Sequence, residues 1–151
     1  MKVCDIPTQV DSCVTCIQTG SGDNSHVVAV SFGDGHVKMF DTRSRQCVLT
    51  SREHKQMVLG LRYQTGHGLV SSCAEGVVKV WDVRRQSSVL THSTGQSCLS
   101  VDIHPSTHIL ALASTTGQLS VFSVRDGKMI NTIRPAAPAS RHVNNSVTCL
   151  R

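Results

Sequence analysis

Three ten-residue stretches of this chain follow one plan at a fixed interval of 41 residues: FGDGHVKMFD (32–41), CAEGVVKVWD (73–82) and STTGQLSVFS (114–123). Their glycines fall at Gly35, Gly76 and Gly117, and their aromatics at Phe40, Trp81 and Phe122. In the central copy a turn, Ala74-Glu75-Gly76, feeds a stretch that alternates Val78 and Val80 against Val77, Lys79 and Trp81. Alternation with a period of two is the pattern of a β-strand with distinct faces. A repeat of about 40 residues is far longer than a heptad and has the length of one supersecondary unit. Such units bury their apolar faces only by stacking on their neighbours, so the interval itself predicts side-by-side sheets.

The residues around each copy fit four short strands per unit. The first unit runs over 12–50, the second over 58–92 and the third over 98–134, each closed by turn residues such as Gly33-Asp34-Gly35 and Asp126-Gly127. His26 to Phe32, HVVAVSF, is nearly continuous apolar sequence, as expected of a strand covered on both faces. A short-strand unit of this period ending in Trp-Asp resembles the blade of a WD-repeat (WD40) propeller. The expected fold is therefore all-β, a partial WD40 β-propeller of about three four-stranded blades. Residues 2–6 are expected to supply the outer strand of a preceding blade and 146–151 the first strand of a following one. That arrangement predicts a fragment of a larger propeller, with apolar surface at each end.

Bulk chemistry narrows the function. No apolar run approaches the roughly 20 residues needed to cross a bilayer, and MKVCDIPTQVDS lacks a signal-peptide core. Seven cysteines scattered through strand patterns suggest buried free thiols in a reducing compartment. Cys13-x-x-Cys16 has no second Cys/His pair at zinc spacing, so no metal is expected. No paired carboxylates, nucleophile elbow, phosphate loop or dinucleotide fingerprint is present, so neither catalysis nor a cofactor is expected. The net charge of +5 permits acidic partners. Nucleic acid is the weaker expectation, because the aromatics needed for base stacking are not interleaved with the basic residues.

In order along the chain, MKVCDIPTQVDSCVT, the GDG turn, FDTR, REH, VDIHP and GKMINTI resemble the C-terminal propeller of the raptor family. Members of that family are regulatory scaffold subunits of the target of rapamycin (TOR) kinase complex. The resemblance implies a non-catalytic scaffold or adaptor whose partners are TOR kinase and its regulators or substrates, coupling nutrient signals to growth. It implies a cytoplasmic location with recruitment to the lysosomal surface. The family's caspase-like domain and helical repeats have no counterpart here, so the substrate-motif reading assigned to them is not implied. A generic WD-repeat adaptor of another cytoplasmic complex is the alternative.

Two sets of residues are candidates for function. In WD-repeat blades a histidine ahead of the first strand joins a network reaching the blade's Trp, and the resemblance gives that structural role to His54, Trp81 and Asp82. A buried indole N–H left without a partner costs about 1–3 kcal/mol, so such a network has a physical reason. The second set is Arg43, Arg84 and Arg125, again 41 residues apart and each just past the third strand. They are expected to line one rim of the propeller. There they either keep an edge soluble or pair with carboxylates of an acidic protein surface.

Overall fold

A computed structural model describes residues 11–20, 22, 25–64, 68–104 and 106–134. The strands expected at 2–6 and 146–151 lie outside these residues. Twelve strands build three antiparallel sheets of four, each in simple meander order. Sheet A contains β1 (Val14–Thr19), β2 (Val27–Phe32), β3 (Val37–Asp41) and β4 (Gln46–Ser51). Sheet B contains β5 (Val58–Gln64), β6 (Gly68–Cys73), β7 (Val77–Asp82) and β8 (Ser87–Ser93). Sheet C contains β9 (Cys98–Ile103), β10 (Ile109–Ser114), β11 (Leu119–Ser123) and β12 (Met129–Ile133). The inner strand β5 packs against both β1 and β9, which sets the three sheets side by side like blades. Among the described residues no helix is long and apolar enough to cross a membrane.

The 41-residue interval survives in the geometry. The pairing of the third strand with the outer strand is bulged between Met39 and Phe40, between Val80 and Trp81, and between Val121 and Phe122. The turn after the third strand holds a positive φ at Arg45 (59°), Gln86 (55°) and Gly127 (63°), equivalent positions in all three sheets. The turn before it is closed by an N–H of Gly35, Gly76 or Gly117 donating three residues back, to Phe32, Cys73 and Ser114. Gly35 and Gly76 have φ of 92° and 83°. A Cβ at Gly35 would strike the carbonyl oxygen of His54, and one at Gly76 that of Gln96. Glycine is thus required where the loop that begins the next sheet crosses the turn of the previous one.

Strand alternation decides which core each side chain joins. On β7, Val78 and Val80 face sheet C and pack with Val101, Leu112 and Phe122. Trp81 faces sheet A and packs with Val37, Met39 and Leu49. Phe40 looks the same way from sheet A and clusters with Val30 and Phe32. β2, read as covered on both faces, is buried at every position except Val28. The thiols divide: Cys73 and Cys98 are buried, but Cys13 and Cys47 are exposed, against the expectation of core thiols. The reason is position, since Cys13 precedes β1 and Cys47 lies on the outermost strand of its sheet.

Candidate interaction rims

Antiparallel meanders place the connections on two opposite rims. One rim carries the turns between third and outer strands, and with them the arginines. Asp41 Oδ1 accepts the backbone N–H groups of Arg43 (2.8 Å) and Ser44 (3.2 Å), and Asp82 Oδ1 accepts that of Arg84 (2.9 Å). Each aspartate therefore shapes the turn that carries its arginine. Slight desolvation pushes the Asp41 carboxyl up, but the Arg43 and Ser44 N–H donors, His26 and the Arg43 guanidinium outweigh it and hold it below the usual carboxylate range. Arg43 is 72% exposed, with Nε 4.0 Å from Asp41, and Arg85 is 74% exposed, with Nε 3.5 Å from Asp82. Arg84 and Arg125 are also exposed. In sheet C, Ser123 replaces the aspartate, and its hydroxyl donates to Asp126 (3.2 Å). The three candidate arginines thus occupy one rim, one per sheet.

The opposite rim carries the turns before the third strand and the loops between sheets. Here lies His54, at the start of sheet B, 2% exposed. Its Nε2 is 2.6 Å from Ser71 Oγ, and the same oxygen accepts the Trp81 indole N–H at 2.8 Å. The other ring nitrogen of His54, Nδ1, is buried with no partner among the described residues. Burial and the Lys79 ammonium lower the His54 pKa to about 4, against a smaller upward pull from Glu53. Asp82 takes no part in this chain of bonds; it shapes the arginine turn.

Sequence reasoning had no place for Ser71, although the repeat marks it. Residues 41 before and after Ser71 are Val30 and Leu112, which accompany Phe40 and Phe122. Only the unit that has an indole N–H also has a hydroxyl in reach of it. Lys79 and Glu53 were missed as well. Lys79 is 8% exposed, and its Nζ donates to Glu53 Oε2 and Thr91 Oγ1, both at 3.0 Å. Burial pushes the Glu53 carboxyl up, but the Ser88 hydroxyl and Lys79 outweigh it and hold it below the usual carboxylate range. Among the described residues no cluster of three or more His, Cys, Asp or Glu is arranged to hold a metal ion.

Comparison with known proteins gives two kinds of result. Residues 3–150 match the family model described as nucleolar protein 10-like, N-terminal domain, a β-propeller. Among solved structures, Chaetomium thermophilum raptor superposes with a TM-score of 0.77 at 23% identity, over 90% of this chain and 13% of that one. The computationally designed protein Ika8 superposes with a TM-score of 0.73 at 18% identity, over 82% of this chain and 37% of that one. At such identities both structures show the propeller fold alone. The cytoplasmic and lysosomal placement implied by the raptor resemblance is corrected by the family match, which points to the nucleolus.

Proposed function

This chain belongs to the nucleolar protein 10-like family of N-terminal β-propeller domains, and on that premise we propose that it is a non-catalytic protein-docking platform acting in the nucleolus. The observation that carries the reading is the arginine rim. Arg43, Arg84 and Arg125 recur on equivalent turns and are exposed, and Asp41 and Asp82 shape two of those turns. A row of guanidinium groups on rigid turns suits carboxylates of an acidic protein surface, which they grip in bidentate fashion. The His54–Ser71–Trp81 chain and Asp82 are structural supports in this reading, fixing the blade and the turn. The TOR-kinase role implied by the raptor resemblance has the fold in common and nothing more specific in its favour.

The test is to express the tagged protein in cells, image it against nucleolar markers and identify co-precipitating proteins after nuclease treatment. Nucleolar signal with nuclease-resistant protein partners is expected. Exclusion from the nucleolus, or partners lost entirely on RNA digestion, would refute the reading.

A further inference from the structure

The turn between β7 and β8 holds a hydroxyl that arginine docking does not use. It runs Asp82-Val83-Arg84-Arg85-Gln86-Ser87, with arginines two and three places before the serine. The equivalents of Ser87 in the other sheets are Gln46 and Lys128, so sheet B alone sets an acceptor hydroxyl behind its arginines. An arginine-directed protein kinase reads this spacing, because carboxylates in its cleft pair with guanidinium groups two and three places before the acceptor.

The hydroxyl is also reachable. Ser87 is exposed and opens β8, the edge strand of sheet B, which has only β7 beside it. Its side chain makes no hydrogen bond to another described residue. Ser88 differs: it is half-buried, and its hydroxyl donates to Glu53. Arg84 and Arg85 are exposed ahead of the acceptor. A kinase cleft takes an extended segment, so Gln86 has to leave its φ of 55°, a region unfavourable to residues other than glycine. That opening breaks bonds at the exposed end of the ladder, the Asp82–Ser87 pair and the Gln86 amide donating to the Val48 carbonyl at 3.0 Å. Strand ends at a sheet edge are where local opening costs least.

We propose that Ser87 is a phosphorylation site for an arginine-directed kinase, and that its phosphate releases an acidic partner from the middle of the arginine rim. Ser87 Oγ attacks the γ-phosphorus of ATP. The new O–P bond forms as the bond to the β-phosphate oxygen breaks, ADP leaves, and the hydroxyl proton passes to the kinase's catalytic carboxylate. Phosphoserine carries about −1.5 to −2 charge. In this turn Arg84 and Arg85 stand against Asp82 alone, so one phosphate turns a positive turn negative. Its oxygens also engage the guanidinium groups that a partner's carboxylates would otherwise grip. The proposal rests on the docking reading of this rim and adds its regulation.

The test treats the full-length protein with ATP and the catalytic subunit of cyclic-AMP-dependent protein kinase, an arginine-directed enzyme, and maps phosphate by mass spectrometry. Near-complete phosphorylation of Ser87 is expected, at least about tenfold slower in Arg84→Ala/Arg85→Ala. Phosphorylated protein, protein treated without ATP, and kinase-treated Ser87→Ala then serve as baits in nuclease-treated extracts, with thermal melts compared alongside. The phosphorylated form should recover at least one partner about tenfold less than the form treated without ATP, and kinase-treated Ser87→Ala should recover it fully. Three results would each overturn the proposal. One is an unmodified Ser87 in the folded protein while a free peptide of residues 82–92 is phosphorylated. Another is a rate unchanged by removal of both arginines. The third is full retention, by the phosphorylated protein, of a partner that Arg43→Glu/Arg84→Glu/Arg125→Glu loses. If neither the phosphate nor that charge reversal costs any partner, docking and release fall together.

Discussion

Ser71→Ala should be far more damaging than its size suggests. The hydroxyl is fully buried and serves two partners at once, the Trp81 indole N–H at 2.8 Å and His54 Nε2 at 2.6 Å. Removing it strands both groups away from water, and each buried polar group left unsatisfied costs about 1–3 kcal/mol. The expected loss is about 2–4 kcal/mol, a large share of the roughly 5–15 kcal/mol that holds a typical domain together. The contrasting variant is the triple His54→Cys/Ser71→Val/Trp81→Phe, which installs the residues found 41 places upstream, Cys13, Val30 and Phe40. It removes donor and acceptors together, and replacing both partners by apolar groups can be nearly neutral. A loss of about 1–2 kcal/mol is expected from the smaller ring. Urea denaturation followed by far-UV circular dichroism measures both, since Trp81 fluorescence disappears in the triple variant. A change below about 0.5 kcal/mol for Ser71→Ala would place the hydroxyl outside any energetic network. A triple variant as unstable as the sum of its single changes would refute the reasoning, because coupled partners should not add.

Three further outcomes follow from the same geometry. His54 titrates at about 4 in the fold against 6.5 unperturbed, so the unfolded chain binds the extra proton first and stability falls as pH drops from about 6.5 to 4. The loss should approach roughly 3 kcal/mol and should be absent in His54→Gln relative to its own neutral-pH value, as read from denaturation midpoints across that range. Lys79→Met should raise the His54 pKa from about 4 towards 6.5, because the ammonium is one of the two causes holding it down; imidazole NMR shifts against pH report it. Gly76→Ala should cost roughly 2–3 kcal/mol or more, from the φ of 83° and the collision with the Gln96 carbonyl, whereas Gly95→Ala, with open space around it, should cost less, both read from urea midpoints.

How much of the molecule is legible in its sequence depends on whether a feature repeats. The sheets, their turns and the two-faced alternation of β7 all follow from the 41-residue interval. The exposure of Cys13 and Cys47 does not, because a thiol in an apolar pattern reads the same inside a sheet, just before its first strand or on its outermost strand. Ser71 is hidden for a different reason. A serine in a strand carries no signal by itself, and its meaning appears only beside Val30 and Leu112 and the single Trp. The misplaced location has a third source: the raptor structure shares the propeller fold with this chain at 23% identity, and a shared fold carries no location. Fold and partner were therefore read from the same residues, and those residues encode the fold.

The central claim is that the exposed arginines dock protein, and reversing their charge tests it most directly. Arg43, Arg84 and Arg125 replaced together by Glu in the full-length protein should leave folding within about 0.5 kcal/mol, since exposed charges away from special features matter little to stability. At a true interface the same change sets like charge against like, at a cost of several kcal/mol. Quantitative co-precipitation of nuclease-treated extracts should show at least one protein partner reduced tenfold or more, with nucleolar signal and thermal melt compared alongside. Full recovery of every partner by the folded triple variant would mean that these arginines only solvate an edge, and the docking reading of this rim would be wrong.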